Sequence, residues 1–128
     1  MNGRMKIAWT AFLIAALISM GRPAVAAPDV QEAKKQSAEM LKEANAMVEH
    51  GHAAHPSVMT KHAKDMIDRA QKTLENIPPD NEHGAAAAAH IKSAIEEAKT
   101  TIADQSVDNA EKAFDHATEA DNHIQQMK

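Results

Sequence analysis

At 128 residues the chain has room for one domain, and its 14 basic against 18 acidic residues leave a formal net charge of −4. That balance argues against nucleic acid or an anionic membrane as partner and favours cations. No cysteine is present, which excludes a disulfide framework, thiol chemistry and thiolate metal sites.

Residues 1–26 read as a secretory signal peptide. Arg4 and Lys6 give a basic start, Ile7–Met20 is a mostly apolar run, and Ala24-Val25-Ala26 is the small-x-small pattern that a signal peptidase accepts. The run is shorter than the roughly 20 residues of a spanning helix, and Pro23 follows it closely, which argues against a retained anchor. Cleavage after Ala26 would leave residues 27–128 as a secreted, periplasmic domain with no membrane attachment. The leader carries Arg4, Lys6 and Arg22 and no acid, so the mature part has 11 basic against 18 acidic residues, a net of −7 with histidine neutral. It also carries Trp9 and Phe12, leaving Phe114 as the sole Phe, Trp or Tyr of the mature part.

The first helix is expected over residues 29–50. Pro28 and Asp29 supply its start, and Ala33, Ser37, Met40, Leu41, Ala44 and Val48 recur at the spacing of one helical face. Gly51 is a stop signal and Pro56 suits a new first turn, so a flexible histidine-rich hinge is expected between the first two helices. The second helix, about 56–77, turns Met59, Ala63, Met66, Ile67, Ala70 and Leu74 inward and ends at Pro78-Pro79. Asp80 can cap a third helix that reaches about Ala103, with Ile91, Ala94, Ile95, Ala98 and Ile102 inside. Its opening, Ala85–Ala89, is a strong helix former. Ser106 then caps a fourth helix carrying Val107, Ala110, Phe114, Ala117 and Ile124. No segment alternates as a strand does. Four similar helices on short connections define an all-α, antiparallel up-down-up-down four-helix bundle, expected to be monomeric.

The core predicted in this way is built of small and flexible residues, with Leu41, Ile67, Ile95 and Phe114 as its larger members. The paired methionines Met40/Met47 and Met59/Met66 fit as core filler better than as thioether ligands. The two halves are also alike. Leu41-Lys42-Glu43-Ala44 with Val48 returns as Ile95-Glu96-Glu97-Ala98 with Ile102, and His62-Ala63-Lys64-Asp65 aligns with Asn109-Ala110-Glu111-Lys112. A duplicated hairpin and the chance likeness of two amphipathic Ala/Glu/Lys-rich hairpins both fit this pattern.

Eight histidines remain after the leader, and four of them, His50, His52, His55 and His62, fall within thirteen residues. Imidazole is the commonest protein metal ligand, although a single histidine on a helix flank is usually just solvated. His55/His62, His83/His90 and His116/His123 are each seven apart. Such a pair lies on one stripe about 10 Å apart, too far to share an ion whose ligands sit about 2 Å from it. Each stripe must therefore hold separate half-sites, completed within one turn or by the next helix. His116 and His123 share Glu119; His62 has Met59, Asp65 and Met66; His83 has Asp80; His90 must look across to another helix. There is no HExxH, no pair of Glu-x-x-His motifs for a di-iron bundle and no nucleophile with an evident base, which points away from an enzyme.

The segment His50-Gly51, His55, His62-Ala63-Lys64, followed by Asn81-Glu82-His83, His90-Ile91, Ala94-Ile95 and Ala113-Phe114-Asp115-His116, resembles the periplasmic small metal-binding proteins of the SmbP type. The resemblance covers most of residues 43–116. It implies a histidine-rich four-helix bundle that binds several divalent ions, copper especially, with His50, His55, His62, His83, His90 and His116 at matching positions. His52 and His123 are this chain's own. Where the family pattern has further histidines, this chain has Glu43, Arg69, Glu97, Ile102 and Asn109, which implies fewer ions.

The expected function is therefore non-catalytic: a metal-binding protein that buffers, stores or carries Cu(II), with Ni(II) and Zn(II) below it in the usual affinity order. Its expected ligands are His50, His52, His55, His62, His83, His90, His116, Glu119 and His123, with the hinge as the tightest site. The competing expectation is a helical interaction or chaperone-like module of the cell envelope whose histidines are incidental.

Overall fold

Asp29 starts the first helix because its short carboxylate can answer donors that lack an intrahelical partner. Its Oδ1 accepts from the backbone N–H groups of Gln31 and Glu32 at 2.8 and 3.2 Å. In the computed structural model, which describes residues 26–128, four helices follow. They are α1 Val30–His52, α2 Pro56–Asn76, α3 Glu82–Asp104 and α4 Val107–Gln125. The leader expected over residues 1–26 lies, apart from Ala26, outside the described residues. Among the described residues there is no strand, and no helix is long and apolar enough to cross a membrane.

Short links make successive helices antiparallel. The α1–α2 and α3–α4 pairs form two close hairpins, and α1–α4 and α2–α3 contacts close the up-down-up-down bundle. Ser106 caps α4 as expected, accepting from the N–H of Asn109 at 3.3 Å. For α3 the cap is Asn81 rather than Asp80: its side chain accepts from the N–H of Gly84 at 3.0 Å.

Alanine dominates the centre of the bundle. Ala33, Ala44, Ala63, Ala70, Ala87, Ala94, Ala98, Ala110, Ala113, Ala117 and Ala120 are fully buried, with Met40, Met47, Met59 and Met66 filling the space between them. The short side chains let the helices approach closely, and the unbranched methionines adapt to the gaps that remain. Of the four larger residues expected inside, only Ile95 is buried; Leu41, Ile67 and Phe114 pack against the rim of the core, half-buried. On α4 the central line is taken by Ala110, Ala113, Ala117 and Ala120, so Phe114 stands about 100° to one side of Ala113. Ser37, fully buried on α1, donates to Oδ1 of Asp121 on α4 at 2.7 Å and ties the two hairpins together.

Candidate metal centre

The link between α1 and α2 is not a flexible hinge. α1 passes through Gly51 and ends in a Schellman turn: the N–H of His55 donates to the carbonyl of His50 at 2.9 Å, and that of Ala54 to the carbonyl of Gly51 at 3.1 Å. The left-handed residue of the turn is Ala54, at φ 56°, not Gly51. Gly51 is needed for another reason. A Cβ there would stand 3.0 Å from Met59 Sδ and 3.2 Å from Val107 Cγ2, so the glycine allows α2 and α4 to close on the end of α1. Pro56 occupies the first turn of α2, and His55, its N-cap residue, spends no side-chain hydrogen bond on capping.

The turn thereby sets His50 opposite His55, their Nδ1 atoms 3.5 Å apart. Two ligand atoms about 2.0–2.1 Å from one tetrahedral ion are separated by about 3.3 Å, so this pair can grip a single ion with little movement. One heptad further along each helix, Glu43 faces His62, whose Nδ1–H donates to Oε2 at 2.6 Å; both side chains are largely buried. A further heptad on, Arg69 donates to Oε1 of Gln36 at 3.2 Å. The groove between α1 and α2 therefore holds a ladder of three rungs: His50/His55, Glu43/His62 and Gln36/Arg69. The His50 and His62 rings stack between rungs, centroids 5.2 Å apart and planes 7° apart. Asp65, one turn from His62, joins it and Glu43 in a group whose ligand atoms all lie within 4.8 Å of one another. Lys61 donates to Oδ2 of Asp65 at 2.7 Å.

A second ladder fills the α3–α4 groove. His83 faces His123 with ring centroids 6.0 Å apart, and His90 faces His116 with their Nδ1 atoms 3.5 Å apart, the separation of His50 and His55. His123 also stacks on His90 at 5.8 Å. Its Nδ1 is buried without a hydrogen-bond partner among the described residues. The same register carries on to Glu97 and Asn109, and there Asn109 turns to donate to Oδ2 of Asp104 at 3.0 Å. The histidines of the first ladder cluster at the α1–α2 turn, and those of the second at the opposite end of the bundle, near the start of α3.

Two expected ligands stand apart. His52 reaches α4 instead of the other turn histidines, its Nε2 lying 2.9 Å from Oε1 of Glu111. Glu119 is exposed on α4 and enters no hydrogen bond or ion pair among the described residues. Glu43 and Asp65, in contrast, are drawn into the first ladder beyond the histidines themselves. Asp65 was already visible as a neighbour of His62 within one turn, and Glu43 as a position where the family pattern has a histidine; that Glu43 faces His62 follows only from pairing heptad stripes across a hairpin. The likeness of the two halves also acquires a structural meaning, because its offsets lay Glu43/His62 on Glu97/Asn109 and Gln36/Arg69 on His90/His116, rung upon rung.

Each hairpin thus carries a file of ligand-type side chains along its groove, with two imidazoles set at the spacing of one coordination sphere at one rung of each. The class this defines is a helical scaffold for metal ions. The model of the small metal-binding protein family matches residues 5–127, and the chain belongs to that family. No curated protein and no solved structure matches it significantly.

Proposed function

We propose that this protein is a non-catalytic, exported metal-binding protein that buffers, stores or carries Cu(II), with Ni(II) and Zn(II) as weaker alternatives. The observation that carries this reading is the repeated imidazole pair, His50/His55 and His90/His116, with Nδ1 atoms 3.5 Å apart in both hairpins. Neutral imidazoles suit borderline ions, and among first-row divalent metals the affinity order puts Cu(II) highest. Glu43, His62 and Asp65 add a mixed nitrogen and oxygen site. The ions are cargo: their ligands lie along solvent-reaching grooves rather than in a closed cavity, as loading and release require.

Calorimetric titration of residues 27–128 with Cu(II), Ni(II) and Zn(II) is the test. The expected result is more than one ion bound, Cu(II) tightest, with substitution of His50 and His55 or of His90 and His116 each removing a distinct site. Stoichiometry and affinity unchanged by both pairs of substitutions would overturn the assignment. For the address, the intact mass of the exported protein should lack residues 1–26; a mature form that still contains Trp9 would place the protein on a membrane anchor instead.

A further inference from the structure

The Glu43/His62 rung differs from the imidazole rungs in having a cation of its own beside it. Lys61 lies one turn before Asp65, and its Nζ donates to Oδ2 at 2.7 Å. The ammonium of Lys61 is thus bonded directly to a carboxylate of the Glu43, His62 and Asp65 group. The other helix-surface lysine pairs among the described residues use carboxylates outside the ladders, Lys35 with Glu32, Lys72 with Asp68 and Lys99 with Glu96.

We propose that Lys61 is a built-in competitor for the ion at Glu43, His62 and Asp65, and sets the free-ion concentration at which that rung loads. The proposal rests on the metal-binding reading of this rung. A divalent ion on either oxygen of Asp65 must share the carboxylate with Lys61, which holds Oδ2, or displace it, and brings two positive charges to within several ångströms of a third. Repulsion of that kind, at about 6 Å in water, opposes binding by roughly tenfold. The Lys61 side chain is 70% exposed and free to swing away, and salt screens what remains, so an effect of about three- to tenfold is expected. Lys61 thus raises the loading threshold without closing the site. The imidazole rungs have no carboxylate for such a cation to hold.

The experiment follows Zn(II) into the purified protein by NMR, reading the ring resonances of His62 and, as an internal reference, of His90. Lys61→Met should move the Zn(II) midpoint at His62 to a concentration three- to tenfold lower, leave that of His90 in place, and lose its advantage as sodium chloride is raised. Lys61→Arg should keep the parent midpoint. Equal shifts at His62 and His90 would mean a general charge effect and would overturn the proposal. So would an unmoved His62 midpoint in Lys61→Met; if Asp65→Asn still weakened Zn(II) at His62, the site would stand and only the role of Lys61 would fall. If neither Glu43→Gln nor Asp65→Asn moved the His62 midpoint, the rung itself would be misassigned and the proposal would fall with it.

Discussion

His90 and His116 offer the clearest test of whether a rung acts as a unit. Their Nδ1 atoms are 3.5 Å apart, within about 0.2 Å of the separation in a tetrahedral site, so one ion can take both without shifting α3 or α4. The obvious substitute, His123, is stacked on His90 with 16° between the planes, which keeps their in-plane lone pairs parallel rather than convergent. Removing either His90 or His116 should therefore cost nearly as much metal binding as removing both. In a background with His50→Ala, His55→Ala and His62→Ala, which removes the sites of the first ladder, free Zn(II) at one hundred times the dissociation constant of this rung should stabilise the fold by about 2.7 kcal/mol. For a domain of this size that is about 10–20 °C in Tm. Thermal melts followed by circular dichroism, with and without Zn(II), measure the increment in that background and with His90→Ala, His116→Ala or both added. The expected pattern is strong non-additivity, each single change abolishing most of the increment. If each removes about half and the double removes the sum, the two imidazoles bind separate ions and the rung is not a chelate.

Four further outcomes follow from the packing and the turn. Ala54→Gly should raise stability by about 0.5–1 kcal/mol, because the left-handed conformation costs alanine roughly 1–2 kcal/mol and the extra chain entropy of glycine returns only part of the gain; a lower urea midpoint would contradict the turn described here. Met66→Ala, at a fully buried site, should cost about 2–5 kcal/mol, and Phe114→Ala, at the rim of the core, only about 1–2 kcal/mol, so chemical denaturation should rank the methionine above the aromatic ring. Ser37→Ala should cost about 1.5 kcal/mol, the low end for a bond to a charged acceptor, since Asp121 keeps Gln125 as a donor at 3.0 Å. Cu(II) affinity should fall in acid, because a proton on imidazole excludes the metal. Calorimetry in the acid limb should show up to about a hundredfold per pH unit for a rung binding through two imidazoles, and a tenfold slope would mean that only one participates.

The helices were legible because their period is unbroken and their ends carry chemistry: Asp29 and Ser106 begin α1 and α4, and Pro78-Pro79 follows α2. The need for His90 to find a partner on another helix was legible too, since nothing within one turn of it can ligate. Which residue that partner is was not, because the facing position depends on the relative slide of α3 and α4, and a heptad stripe looks the same at every step of seven. Gly51 misled for a physical reason: glycine serves both to end helices and to let helices touch, and here Met59 and Val107 require the second use. His52 could not be separated from its neighbours in sequence because two residues along a helix turn a side chain by about 200°, which carries it from the α2 side of α1 to Glu111 on α4.

The rungs lie on the flanks of the helices while alanine and methionine hold the centre, so ligands and scaffold occupy different positions in the heptad. A change at a rung need not disturb the core beneath it. Gln36/Arg69 and His90/His116 correspond under the offset between the two halves, yet one is a hydrogen-bonded pair and the other a pair of imidazoles, in the same bundle. In an evolving lineage, the number of ions carried can then drift by point substitutions, a histidine gained at one step and an arginine at the next, with the fold as an inherited frame. Capacity and ion preference become traits that selection can adjust one rung at a time.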